Sequence, residues 1–190
     1  MSERIRSFIA FDMQSDSVLN RLSAVQKLLV ETGADLKVVQ PQNIHVTVRF
    51  LGEISSSMVE KVYEAMKKVQ FAPFIIEIRG LGVFPSLSYP RVVWAGMTGG
   101  VEQLKSIFDQ LEPQIRVLGF EPDAHGFSPH LTIARVRSGA NKQLLAELVA
   151  KKADYEFGLI KADCLRLKKS QLSPKGPIYS TLREFCPAKE

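Results

Sequence analysis

Apolar and polar residues alternate through NIHVTVRFLG, residues 43–52, with Ile44, Val46, Val48 and Phe50 on one phase and His45, Thr47 and Arg49 on the other. A period of two predicts a β-strand with one face in a core and the other free. The pattern recurs in SPHLTIARV, where His130 and Thr132 alternate with Leu131 and Ile133. Between and around these stretches the period changes. Residues 15–33 carry Val18, Leu22, Val25 and Leu29 at helical spacing and close on Gly33. Residues 55–69 predict a second helix opened by a Ser57-x-x-Glu60 capping box. Residues 101–119 predict a third, kinked or divided at Pro113, and residues 141–152 a fourth. Strands are predicted at 6–12, 74–84, 91–97 and 178–185, with one or two more within 155–173. The turn-rich PSLSYP separates two of them.

Each half of the chain thus offers a helix, a His-x-Thr strand, another helix and further strands. Two copies at so long a period indicate duplication rather than a solenoid. The expected fold is α+β. It is a two-lobed duplicated fold in a single domain, residues 1–190, with antiparallel sheets lining a central cleft and helices outside. A pseudo-twofold axis between lobes would set the two His-x-Thr strands face to face.

Residues i and i+2 of a strand share a face, so each histidine has a threonine beside it. An imidazole exchanges protons near neutral pH, and a hydroxyl donates hydrogen bonds. Two such pairs converging on one point supply an acid, a base and two donors, which suits in-line attack at phosphorus. The chain has three histidines and five threonines, so chance would place threonine two residues after two of the histidines only a few times in a thousand, roughly. A single motif of this kind would be read as a polar residue on an open strand face; the pair is read as a site. Spacing alone leaves open which histidine is the acid.

Charge and composition change the picture little. The net charge of +5 favours anionic partners, nucleic acid among them, though solvated lysine faces give the same excess. No apolar run is long enough to span a bilayer, and the N-terminus lacks a signal-peptide pattern, so a cytoplasmic protein is expected. Cys164 and Cys186 are too few for a disulfide framework and are expected as reduced thiols. No zinc-type ligand spacing or phosphate-binding glycine loop occurs, so neither metal nor nucleotide cofactor is expected. His125, in DAHGF, is expected at the surface, and Tyr89 and Trp94 are either base-stacking platforms or core.

The two motifs resemble those of the two-histidine (2H) phosphoesterase superfamily, and the closest resemblance is to the RNA 2′,3′-cyclic phosphodiesterases, or RNA 2′-5′ ligases, of bacteria and archaea. RSFIAFD, GVFPSLSYPRVVWAG and LKKSQLSPKGPIYSTL extend the resemblance over nearly the whole chain. Val48 departs from a leucine frequent at the end of the first motif, on the buried face. The resemblance implies opening of a terminal 2′,3′-cyclic phosphate to a 2′-phosphate without ATP. It implies His45 as proton donor, His130 as proton acceptor, and Thr47 and Thr132 as phosphate ligands. It also suggests a phosphate-binding Arg135, which strict alternation puts on the wrong face unless a bulge intervenes or the strand ends early. Arg49 shares the phase of His45 and is expected to line the cleft or meet the RNA backbone. The expected partner is an RNA bearing a cyclic phosphate end, tRNA fragments among the candidates, acted on by a monomer. The alternatives are a non-catalytic RNA- or nucleotide-binding module and a cyclic phosphodiesterase of small nucleotides.

Overall fold

The structure is a computed structural model and describes residues 4–123, 126–174 and 176–187. Nine strands and four helices run in the order β1 (Arg4–Asp12), α1 (Asp16–Glu31), β2 (Leu36–Val38), β3 (His45–Ser55), α2 (Ser56–Lys67), β4 (Phe74–Ser86), β5 (Tyr89–Gly99), α3 (Val101–Val117), β6 (Leu131–Val136), α4 (Lys142–Lys151), β7 (Glu156–Ala162), β8 (Leu165–Ser173) and β9 (Gly176–Phe185) among the described residues. The strands form two antiparallel sheets, β3-β1-β8-β9 and β2-β6-β5-β4-β7. The expected α+β architecture is what the chain adopts. The short β2 had no periodic signal.

The halves of the chain are interleaved. In each sheet a central strand, β1 or β5, pairs on one side with a His-x-Thr strand, β3 or β6. On the other side of β1 lies β8, from the second half, and on the other side of β5 lies its hairpin partner, β4. Helices cross over too: α1 packs on β6 and β7, and α3 reaches both β3 and β5. The apolar residues of both sheets and all four helices join one buried cluster, so neither sheet has a core of its own.

Two local expectations change. α3 runs unbroken through Pro113, because Leu104, Ile107, Leu111 and Ile115 are fully buried along one stripe that holds both sides of the proline. The capping box does not form: α2 begins at Ser56, leaving Ser57 inside the helix, and Glu60 pairs with Arg183. The cysteines also differ from the expectation of free thiols, since Cys164 and Cys186 form a disulfide. Leu165 and Phe185 are ladder partners, so the residues just outside them meet as the next antiparallel pair, with Cα atoms 4.2 Å apart. A separation of 22 residues carries no sequence signal for that.

The decisive local feature is a bulge repeated in both His-x-Thr strands. On β3, Thr47 pairs with Ala10 and Arg49 with Ile9, leaving Val48 without a partner. On β6, Thr132 pairs with Trp94 and Ala134 with Val93, leaving Ile133 without one. Each bulge residue is the last position of its motif, and each reverses the faces that follow. Arg49 therefore shares the core face of Ile9 instead of the face of His45, which corrects its expected place in the cleft. There it is 7% exposed and binds Glu112 at 2.6 Å, with the carbonyls of Phe50 and Glu121 taking further guanidinium hydrogens. The same reversal brings Phe50 out to 58% exposure, where alternation had put it in the core.

Arg49 is thus a structural cation. Arg49→Ala strands the Glu112 carboxylate, and removal of one partner from a buried pair costs on the order of 3 kcal/mol. Urea unfolding should show that loss, with KM for an RNA substrate little changed in the folded protein. Normal stability with a raised KM would restore Arg49 to the RNA contact.

Candidate active site

β3 and β6 approach one another, and their open faces line one cavity of about 490 Å³. His45, Thr47, His130 and Thr132 all face it. Arg135 does as well, because the Ile133 bulge turns it onto the face of Thr132. By the same offset of five from the histidine, Phe50 is its counterpart on β3 and also lines the cavity.

The two imidazoles are held alike. His45 Nδ1 lies 2.8 Å from the Asn43 carbonyl, and His130 Nδ1 lies 2.7 Å from that of Ser128. A carbonyl only accepts, so each Nδ1 carries hydrogen and donates it. Each Nε2 is left to exchange a proton in the cavity. Asn43 is itself anchored, its side-chain amide donating to the Pro177 carbonyl at 2.8 Å. These backbone partners, two residues before each histidine, are invisible to a reading of side-chain types.

Aromatic rings pack both histidines. Phe8 stacks on His45 at 4.6 Å and Tyr179 meets it edge-on at 5.2 Å. Phe84 stands edge-on to His130 at 5.0 Å. Phe8 and Tyr179 line the cavity and were not singled out in the sequence; their positions on the open phase of a strand were the available signal. Trp94 packs against Phe84 and lies directly over Gly82, where a Cβ would fall 2.3 Å from its ring; it is a packed ring outside the cavity lining rather than a free platform. Tyr89 is exposed on the β4–β5 hairpin with Arg91 against its ring, outside the cavity lining. The surface reading of His125 falls outside the described residues.

Burial sets the protonation of the pair. It pushes His45 down to about 4, with the nearby Lys168 ammonium and His130 adding to the shift, while the Asn43 hydrogen bond and Asp12 oppose it. His130 is also lowered, first by burial and then by Arg135, against the Ser128 hydrogen bond. Lys168 is buried and bound to Asp12 at 2.5 Å. Among the described residues, the cluster of three or more metal-ligating side chains is Cys164, Glu184 and Cys186, away from the cavity. Its cysteines are joined as a disulfide and Glu184 pairs with Arg166 at 2.6 Å.

Comparison with known proteins matches the model of a family described as LigT-like phosphoesterase in two successive segments, residues 13–94 and 97–179. Each segment contains one His-x-Thr strand. The chain is 38% identical over 167 residues to a protein of Aeropyrum pernix named RNA 2′,3′-cyclic phosphodiesterase, covering 88% of this chain and 95% of that one. It is 36% identical over 181 residues to a protein of the same name from Archaeoglobus fulgidus, covering 95% and 99%. Among solved structures, TT0787 of Thermus thermophilus superposes with a TM-score of 0.79 at 27% identity, covering 95% of this chain and 97% of that one. E. coli LigT complexed with 3′-AMP superposes with a TM-score of 0.81 at 20% identity, over 98% and 100%, a likeness of fold.

The histidine shifts are directly measurable. In an NMR titration of the free protein, His45 should titrate near pH 4 and His130 below 6.5. Both should rise on adding inorganic phosphate, since an anion favours imidazolium. Between the two limits the unfolded chain binds the His45 proton more readily than the folded one. Stability therefore rises with pH across that window, and the His45 contribution is lost as pH falls from 6.5 toward 4. A His45 that titrates at 6.5 or above without ligand would contradict this.

Proposed function

The chain belongs to the LigT-like phosphoesterase family, and from that premise we propose that it hydrolyses the 2′,3′-cyclic phosphate at an RNA end to a 2′-phosphomonoester, with His45 as general acid and His130 as general base. The observation that carries the reading is the matched pair of imidazoles. Each holds Nδ1–H on a carbonyl two residues back and leaves Nε2 to one shared cavity. A module that only binds RNA has no use for two such proton-exchanging nitrogens.

The protein is a hydrolase, and its chemistry balances with these residues alone. Water attacks phosphorus and gives a proton to His130 Nε2. The bond to the 3′ oxygen breaks, and His45 Nε2 gives that oxygen its proton. The products are a 2′-phosphate and a 3′-hydroxyl, and one water has been consumed. Thr47 and Thr132 hydroxyls, with the Arg135 guanidinium, hold the non-bridging oxygens as charge builds on them. His45 must be cationic to donate, yet burial keeps it neutral at pH 7 in the free protein. The substrate supplies the missing term: an anionic phosphate in the cavity raises the affinity of both imidazoles for protons. The acid is thus charged mainly when there is something to act on.

A 5′-hydroxyl RNA end in the place of water gives, by the same proton transfers, a 2′-5′ linkage without ATP. The scheme needs no metal. We take the substrate to be RNA ends, tRNA fragments among them, and the working unit to be a monomer in the cytoplasm. No helix among the described residues is long and apolar enough to cross a membrane. The Cys164–Cys186 bond pulls the other way, since disulfides persist mainly in oxidising compartments.

His45→Ala and His130→Ala should each lower turnover of a cyclic-ended oligonucleotide by about a hundredfold to ten-thousandfold, with circular dichroism unchanged. Thr47→Ala and Thr132→Ala should cost less, since they move no proton. Phosphorus NMR should identify the product as the 2′-phosphate, and EDTA should leave the rate unaltered. Near-normal turnover in either folded histidine variant would refute the mechanism, and metal-dependent recovery after chelation would refute its independence of metal.

A further inference from the structure

A cyclic phosphate diester carries one negative charge, which the two imidazoles, two hydroxyls and Arg135 already serve. The cavity offers more than that. Arg6, on β1, is an exposed cation at its margin and makes no ion pair among the described residues. Its ladder partner is Glu53, but that carboxylate lies 3.8 Å from Arg4. Phe50 is the exposed aromatic ring of the cavity, 6.0 Å from the ring of Phe8. Phe8 is buried and stacked on His45, so its own faces are taken, and Phe50 stands one ring farther from the chemistry. Tyr179 links these positions. Its ring is edge-on to both His45 and Phe8, and it lines the cavity together with Arg135 and Arg6.

These groups extend away from His45 along β1. Phe8 and Arg6 are two residues apart, so their side chains rise from one face about 7 Å from each other. Since Phe8 itself stacks on His45, Arg6 stands one residue pair beyond the ring that touches the histidine. Beyond the phosphate at the histidines there is thus a second anion position, flanked by an unoccupied aromatic face. We propose that Arg6, Tyr179 and Phe50 form a subsite for the nucleotide joined to the 5′ side of the cyclic end, Arg6 and the Tyr179 hydroxyl receiving the linking phosphate and Phe50 stacking on the neighbouring base. The proposal rests on the phosphodiesterase reading and deepens it: the enzyme reads a chain end rather than a free cyclic mononucleotide. A guanidinium–phosphate contact is charge-assisted, and stacking on an aromatic ring tolerates any base. The subsite selects for RNA length and not for sequence.

Three substrates of increasing length test it: adenosine 2′,3′-cyclic phosphate, the same compound with a 5′-phosphate, and the dinucleotide ApA ending in the cyclic phosphate. In the unaltered protein, kcat/KM should rise roughly tenfold when the 5′-phosphate is added. The dinucleotide, whose linking phosphate has a single charge, should keep that gain and add severalfold from the second base. Arg6→Ala should abolish the ratio between the first two substrates, whatever it does to the first alone. Phe50→Ala should keep that ratio and abolish the gain from the second base. Equal efficiencies for all three substrates in the unaltered protein, or ratios that survive both substitutions, would overturn the subsite. Failure to hydrolyse any of them would instead overturn the phosphodiesterase reading. The subsite is then judged by calorimetry: adenosine 2′,5′-bisphosphate should bind about tenfold tighter than adenosine 2′-phosphate, and Arg6→Ala should remove the difference. Equal binding of the two would overturn it.

Discussion

The extra residue that each His-x-Thr strand carries, Val48 on β3 and Ile133 on β6, decides what faces the cavity and what faces the core. Up to the threonine, alternation sends the motif's polar residues outward. The bulge then spends one residue without a ladder partner and reverses the phase. Arg135 is thereby delivered to the cavity and Ala134 to the core, where it is fully buried. On the other strand the same step delivers Phe50 to the cavity and sends Arg49 inward to Glu112. Without the bulge, β6 would bury an arginine and lose a cation from the site. One backbone irregularity, used twice, differentiates two otherwise similar walls: one presents a guanidinium and the other an aromatic ring.

Electrostatics builds on that placement. The imidazoles are oriented by carbonyls, which fix the tautomer without adding a charge that would lock the proton in place. Their packing against Phe8, Tyr179 and Phe84 removes water and disfavours the cationic form. The free site is consequently short of protons and surrounded by Arg6, Arg135 and Lys168. An anion entering it relieves both conditions at once. Substrate binding and the arming of the acid are then one event, a coupling that a solvent-exposed pair of histidines would lack.

Much of this was legible in the sequence, for physical reasons that differ from residue to residue. His45, Thr47 and Thr132 lie on the first residues of their strands and His130 immediately before β6, where period-two alternation holds, and the repetition of the motif marks them out. Arg49 and Phe50 were misplaced by extrapolating the same alternation past Val48, and nothing in the residue types at 46–50 announces a bulge. Arg135 was legible only as a conditional, and the Ile133 bulge meets the condition. The duplication was visible as a pattern, but the pairing of β8 with β1 was not, because those strands lie more than a hundred residues apart and meet only through packing. The Cys164–Cys186 bond was hidden for a local reason: it follows from the register of β8 on β9, which two cysteines 22 residues apart do not announce.

The central claim is that two imidazoles on opposing strands do opposite jobs, and leaving-group replacement tests it most directly. A substrate whose bridging 3′ oxygen is replaced by sulfur departs as a thiolate and has little need of a general acid, but water still has to be deprotonated. Single-turnover rates of His45→Ala and His130→Ala on the oxygen and sulfur substrates separate the two roles. The account requires the sulfur substrate to restore most of the rate lost in His45→Ala and almost none of that lost in His130→Ala. Rescue of neither variant, or equal rescue of both, would contradict the division of labour between the two histidines; rescue of His130→Ala alone would reverse it.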